Sequence, residues 1–462
     1  PFDNKIYVIN SGSNTVSVID EKNNSSHPIH TCNPKYCRND GPHRLSINTH
    51  LNENKIYISN YPNHTISVIS VINGNNYAVK NILVGRGPSD LEYDAKNNLL
   101  YVLNNLSHSI SVINGTTDKV IRIIPIEVEI SPVSITIDQD SGLVYVASDD
   151  IYGSIRIIGQ VENADYIQVG LDPKYLGLNS VTGKLYVSNY DTGNISVLKE
   201  NTGTSKDIKL FPPPSSTKKI IASDKTNKIY VATSDTVSVI NGNNDTLQKN
   251  LYFKYPISIA INTNTNKVYV ATINSPYIDI IDGKSDNLSD RHIDIGINSS
   301  HQVAVNALTN KIYVINPGLN ILSVIDGNND TLTKNVTLPI EPTAIAIDEK
   351  NNLVYLYSSS TQNSHNFAIV NGSNDIPKIT KVDEISGPAK LAIDPKSHHI
   401  FVLDTQAEKI VELYRNNMNL KIVKQLSAGI DPIDFLIDDR TNKIYISNQK
   451  LNAILETNIR NR

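Results

Sequence analysis

Asn4-Lys5-Ile6-Tyr7-Val8-Ile9-Asn10, followed four residues on by Thr15-Val16-Ser17-Val18-Ile19-Asp20, decides how this chain is read, because both stretches return along its whole length. The first returns as Asn54-Lys55-Ile56-Tyr57-Ile58-Ser59-Asn60 and last as Asn442-Lys443-Ile444-Tyr445-Ile446-Ser447-Asn448. Its aromatic residue falls at Tyr7, Tyr57, Tyr101, Tyr145, Tyr186, Tyr230, Tyr269, Tyr313, Tyr355, Phe401 and Tyr445. The intervals run from 39 to 50 residues, and half of them are 44. A period of this length is that of a four-stranded propeller blade, so the spacing predicts an all-β chain of about eleven blades.

Each repeat divides into four strand signatures. In the unit over residues 342–385, Pro342 to Asp348 reads as an apolar inner strand, Asn351-Asn352 as a turn and Leu353 to Tyr357 as the second strand. The third strand is clearest at Thr15 to Asp20 and Thr236 to Asn241, where period-2 alternation puts Val on one face, the pattern of a half-buried strand. Asn241-Gly242 and Asp326-Gly327 then mark tight turns, and a more polar fourth strand follows, as in Lys80 to Val84. Four short strands cannot cover both faces of their own sheet, whereas a blade stacked between two others can.

Composition agrees. The 462 residues carry 23 Tyr against 6 Phe, no Trp and one Met, with 39% hydrophobic residues and a formal charge of −4. Lys and Arg are spread rather than clustered, which excludes the basic footprint of a nucleic-acid partner. The chain has no run of 18 apolar residues and no apolar leader behind Pro1, so it shows no signal peptide or apolar membrane span and reads as a mature or trimmed product whose leader or anchor is gone, which leaves export open.

The quoted motifs resemble the YVTN family of β-propeller repeats over essentially the whole chain, most closely at 54–69, 310–327 and 442–448, and loosely at 142–159, 352–372 and 398–416. The resemblance implies surface-layer and surface-antigen proteins of archaea and exported bacterial proteins, and it implies no single activity. Eleven repeats exceed the usual four to eight blades of a ring, so one oversized ring and two rings both stay open. Phe211-Pro212-Pro213-Pro214, in the segment 211–218, is a candidate ring boundary or a long surface loop. The first repeat starts at its second strand and the last stops after its third, which reads either as truncation or as an edge completed by another copy.

Chemistry-bearing motifs are sparse. Cys32 and Cys37 are the only cysteines, and they are expected to form a local disulfide, with two free thiols or half of a metal site as the alternatives. Glycosylation sequons stand at Asn23, Asn24, Asn63, Asn105, Asn114, Asn194, Asn244, Asn287, Asn298, Asn329, Asn335 and Asn371, mostly at expected turns. No haem-attachment, nucleophile-elbow or phosphate-loop motif occurs. His398-His399 sits at an expected turn, where solvation is its ordinary fate. The loops Asn243-Asn244-Asp245, Asn328-Asn329-Asp330 and Ser148-Asp149-Asp150 offer oxygen ligands for a structural calcium without the spacing of a dedicated loop. No catalytic, cofactor or metal residue is nominated. The expectation is a non-enzymatic extracellular scaffold, adhesion or surface-layer protein that meets other surface proteins, glycans or copies of itself. Its rivals are an exported lactonase- or lyase-like enzyme and a sensor with a site in the central channel.

Overall fold

The structure is a computed structural model, and it describes residues 5–20, 26–31, 42–47, 55–73, 76–126, 132–137, 144–148, 155–158, 165–199, 205–210, 217–296, 302–358, 366–382, 384–385, 387–417 and 419–459. The chain divides into two compact units, one of residues 1–168 with 450–453 and the other of 169–449 with 454–462. Cys32, Cys37, Asn23, Asn24, Asn298, Asp149, Asp150 and residues 211–216 lie outside the described residues. Those that are described are all-β apart from short 3-10 turns, and their strands form antiparallel propeller blades, in ten of the eleven sheets with the strands in sequence order from inner to outer.

In the first unit, three- and four-stranded sheets stack in chain order. They begin at Lys5–Asn10, Pro42–Ile47, Pro88–Asp94 and Pro132–Ile137. Branched aliphatic residues fill the layers between them, for example Val16, Val18, Ile56, Ile58 and Ile69 between the first two.

In the second unit, seven blades follow one another among the described residues. Their inner strands are Pro173–Asn179 (blade I), Lys219–Ser223 (II), Pro256–Asn262 (III), Gln302–Asn306 (IV), Ala344–Asp348 (V), Pro388–Ile393 (VI) and Pro432–Asp438 (VII). Each inner strand contacts the next, and that of blade I also packs on blade VII, so this unit is a closed ring. Asp434 and Ser447 of blade VII fasten the closure: Asp434 Oδ2 accepts from the Leu176 amide at 2.9 Å, and Ser447 Oγ donates to the Lys174 carbonyl at 2.7 Å.

The repeat motif explains the packing. Period-2 alternation gives each blade two apolar faces, and the facing layers interlock. Between blades I and II, Tyr186, Ile195, Val197 and Ile208 meet Ile220, Ile229, Val231 and Ile240. Each such aliphatic side chain contributes about 1.5–3 kcal/mol on full burial, which makes these layers the principal source of stability.

Where the motif keeps its Lys and Tyr, they add a polar latch between blades. Lys184 and Tyr186 of blade I reach Asp245 of blade II at 2.8 and 2.7 Å. Lys228 and Tyr230 reach Asp286 of blade III at 2.6 and 3.2 Å, and Lys267 and Tyr269 reach Asp330 of blade IV at the same two distances. Lys311 of blade IV pairs with Asp375 of blade V at 3.2 Å, and in the first unit Lys55 pairs with Asp118 at 3.0 Å. Every one of these aspartates closes an Asn-Gly or Asp-Gly turn with φ between 52° and 59°, a left-handed geometry that Asp tolerates better than most residues. The turn glycine is needed as well: at Gly283 a Cβ would sit 2.6 Å from the Asn266 carbonyl oxygen, which the Gly283 amide meets at 2.9 Å.

The motif asparagine is internal to its blade. Asn60 Nδ2 donates to Ser67 Oγ at 2.8 Å, and Asn10, Asn104 and Asn189 repeat the bond to Ser17, Ser111 and Ser196 at 2.8 to 2.9 Å. It therefore locks the second strand to the third.

Candidate functional site: the polar mouth of the ring

Meander topology puts the start of every inner strand, and every turn between second and third strands, on one face of the ring. The third residue of the aligned inner segments is Tyr175, Lys219, Ser258, Gln302, Ala344, Lys390 and Asp434 in blades I to VII. All but Ala344 line a cavity of about 710 Å³, together with Ile257, Ile433, Thr405 and Gln406 among others. That size matches a small organic ligand.

Asp434 is the organising group. It is 2% exposed, and its carboxylate takes the Leu176 and Phe435 amides at 2.9 Å and an ion pair from Lys390. Its lone pairs are thereby largely committed. Tyr175, beside it, has its hydroxyl pKa raised by burial and by the Asp434 charge. Ser258 Oγ accepts the Val303 amide at 3.2 Å, which leaves its O–H able to donate. Gln302 gives one amide proton to the Thr343 carbonyl at 3.1 Å. Lys219 differs from all of these: among the described residues its ammonium has no ion pair or hydrogen bond, and its pKa is pushed down to about 8, first by burial and then by Lys390, against the pull of Asp434.

Of the loop acids singled out as calcium ligands, Asp245 and Asp330 have other partners, since they serve the lysine–tyrosine latches. No cluster of three or more His, Cys, Asp or Glu side chains suited to a metal occurs among the described residues. His398 and His399 are half-buried rather than freely solvated. Their Nδ1 atoms meet Asp348 at 3.1 Å and Glu412 at 2.5 Å, so they tie blade VI to blade V and strand to strand. Of the sequons, Asn244, Asn287, Asn329, Asn335 and Asn371 are exposed, whereas Asn63, Asn105, Asn114 and Asn194 are half-buried. Asn105 Nδ2, the atom a glycan would take, is bonded to the Pro132 carbonyl at 2.6 Å.

The sequence reading nominated no residue of the cavity. The only signal in the aligned inner segments is that six of seven carry a polar side chain at the third position, and Arg44, Asp90 and Ser134 of the first unit do the same, so the position does not mark the cavity by itself.

Neither a protein-family model nor a curated protein sequence matches this chain. Solved structures do. Hydrazine synthase of Kuenenia stuttgartiensis aligns with 14% identity and a TM-score of 0.54, over 65% of this chain and 99% of that one. A chain of the mitotic checkpoint complex aligns with 10% identity and a TM-score of 0.56, over 66% and 95%. The extracellular domain of a one-component system from B. thetaiotaomicron aligns with 10% identity and a TM-score of 0.54, over 99% of this chain and 69% of that one. At such identities the likeness is one of fold: the chain is built of β-propeller blades.

Proposed function

We propose that this chain is a non-enzymatic recognition scaffold of the YVTN-repeat kind, acting outside the cell or at its surface through loop and edge contacts with glycans, other surface proteins or copies of itself. The observation that supports this reading best is an aromatic patch on the mouth face of the second unit. Tyr252 and Tyr255, 74% and 57% exposed, flank Phe253 and Lys254 in the connection from blade II to blade III. Exposed Ile273 of blade III joins them, its amide bonded to the Tyr255 carbonyl at 3.0 Å. Tyr255 holds φ at +60°, a conformation that costs a bulky residue about 1–2 kcal/mol and that glycine adopts freely. A large ring kept in water against its backbone preference points to a contact made by that ring. The extracellular domain among the structural neighbours is in keeping with the placement.

The test pairs Tyr252→Ser with Tyr255→Gly in one protein, assayed on glycan arrays, on envelope fractions and by sedimentation for self-association. The double variant is expected to melt no lower than the parent, because glycine relieves Tyr255, while its strongest contact weakens at least tenfold. A parent that meets none of these surfaces, or a variant that meets them equally well, removes the reading.

A further inference from the structure

Lys219 is a half-buried cation with no ion pair or hydrogen bond among the described residues; of the other charges lining its cavity, Lys390 and Asp434 pair with each other, Lys218 is exposed and Asp431 is half-buried. Asp434 already takes two amides and Lys390, and its charge offsets only part of the effect of burial and Lys390 on Lys219. Counting the lining, three lysines (218, 219 and 390) face two aspartates (431 and 434), which leaves a single positive charge. An unpaired ammonium drawn out of bulk water is costly, and the usual remedy is an opposite charge. The next inner strand offers the Ser258 hydroxyl at the same level, its own acceptor bond already made by the Val303 amide. Ile257 and Ile433 supply apolar wall in the same space.

We propose that this cavity binds a small organic carboxylate, the carboxylate held by Lys219 Nζ and the Ser258 hydroxyl and the apolar body laid against Ile257 and Ile433. One excess charge fits a monoanion better than a phosphate dianion, and the aliphatic wall fits an organic body better than a bare ion. The site is independent of the aromatic patch, so either can stand without the other. Because the Lys219 pKa is near 8, ligand affinity is full below that pH and falls as the amine loses its proton above it. An ordinary surface lysine would hold its charge to about pH 10.

Calorimetric titration of the whole chain with benzoate, benzamide and inorganic phosphate, at pH 7.0 and 9.5, tests this. Benzoate is expected to bind, with affinity at least tenfold lower at the higher pH and at least tenfold lower in Lys219→Gln at pH 7.0. Lys219→Gln itself is expected to melt no lower than the parent, since it removes a cation without a partner, and Ser258→Ala should weaken benzoate while leaving the fold. Three outcomes overturn the proposal: benzamide binding as well as benzoate, which would show a cavity blind to charge; phosphate binding better than benzoate, which would show an inorganic anion site; or benzoate affinity unmoved by Lys219→Gln.

Discussion

Between blades II and III, Lys228 and Tyr230 cross the layer to Asp286; at the matching positions of blade V stand Leu353 and Tyr355, and blade VI presents Arg415 and Asn417 where an aspartate would be. The side-chain ladder at the other end of the inner strands changes there too, after a first break at blade II, where Ser223 stands in place of the asparagine. Asn179, Asn262 and Asn306 donate to Asn227, Asn310 and Asn352 of the following blade at 2.6 to 3.0 Å, whereas Asp348 of blade V meets His398 of blade VI. Blades I to IV are thus joined by one repeated device and blades V to VII by particular ones. The diverged blades also supply Lys390, Thr405, Gln406 and Asp434 to the cavity. Packing alone keeps an aliphatic layer in register within the tolerance of a slip, so the latch adds specificity where the blades are interchangeable, and the blades freed from it carry the individual chemistry.

The largest effect should come from pH. Burial, then the neighbouring Asp286 and Asp330 carboxylates, raise the Tyr230 and Tyr269 hydroxyl pKa well above the ordinary 10, and Tyr186 is raised likewise by burial and Asp245. A group whose folded pKa lies above its unfolded value contributes fully below the unfolded value and loses that contribution as pH climbs from there toward the folded one. The chain should therefore hold its stability to about pH 10 and lose it steeply above, with tyrosinate absorbance appearing together with unfolding. Tyr355, where Arg415 opposes the burial, rises only to about 12. Tyrosinate that formed smoothly at pH 10 in a folded chain would show the latches open to solvent and erase the comparison.

Next in size is Asp286→Ala. It strands Lys228 and the Tyr230 hydroxyl, both largely out of solvent, and should cost about 2–3 kcal/mol in denaturant unfolding, between the values for exposed and fully buried pairs. A loss below about 0.5 kcal/mol would reduce the latch to a surface pair. The hydroxyls can be separated from the lysines. Tyr230→Phe removes a bond to a carboxylate and should cost about 1 kcal/mol, while Tyr313→Phe should be neutral or stabilising, because the buried Tyr313 hydroxyl has no partner among the described residues. Equal costs at the two sites would mean that ring packing, not the bond, sets the tyrosine preference.

Much of the fold was legible because repetition averages out local ambiguity: the second strand at Leu353–Tyr357 and the third at Thr15–Asp20 and Thr236–Asn241 fall where the pattern puts them. The inner strand expected from Pro342 begins at Ala344 instead, since Thr343 turns its amide to the Tyr357 carbonyl at 2.7 Å as a loop residue. The latches were not legible, although Lys, Tyr and the turn Asp each recur, because their partners sit about 60 positions apart and only stacking brings them together. The cavity was hidden for the opposite reason. Tyr175, Lys219, Gln302, Lys390 and Asp434 differ from one another, so a reading built on what repeats passes over them, and their convergence depends on ring closure through Leu176 and Asp434.

The smallest effect asked of the comparison falls on its diverged side. His398 occupies the left-handed turn position, φ +60°, that Asn227, Asn310 and Asn352 fill in other blades at 51° to 52°. Asn tolerates that backbone at least as well as His, and its amide can donate to Asp348 as the imidazole does. If the histidine merely stands in for the ladder asparagine, His398→Asn should change unfolding free energy by less than about 0.5 kcal/mol, as surface-level exchanges do. His398→Ala, which leaves the 2%-exposed Asp348 carboxylate short of a donor and asks a β-carbon residue without local hydrogen bonding to hold a positive φ, should cost about 1–2 kcal/mol. The gap between the two variants is the informative quantity: if it closes, the turn position tolerates any residue and the V–VI junction depends on its aliphatic layer alone, whereas a large loss in His398→Asn as well would show that the ring size of the imidazole, not its hydrogen bond, is what blade VI was shaped around.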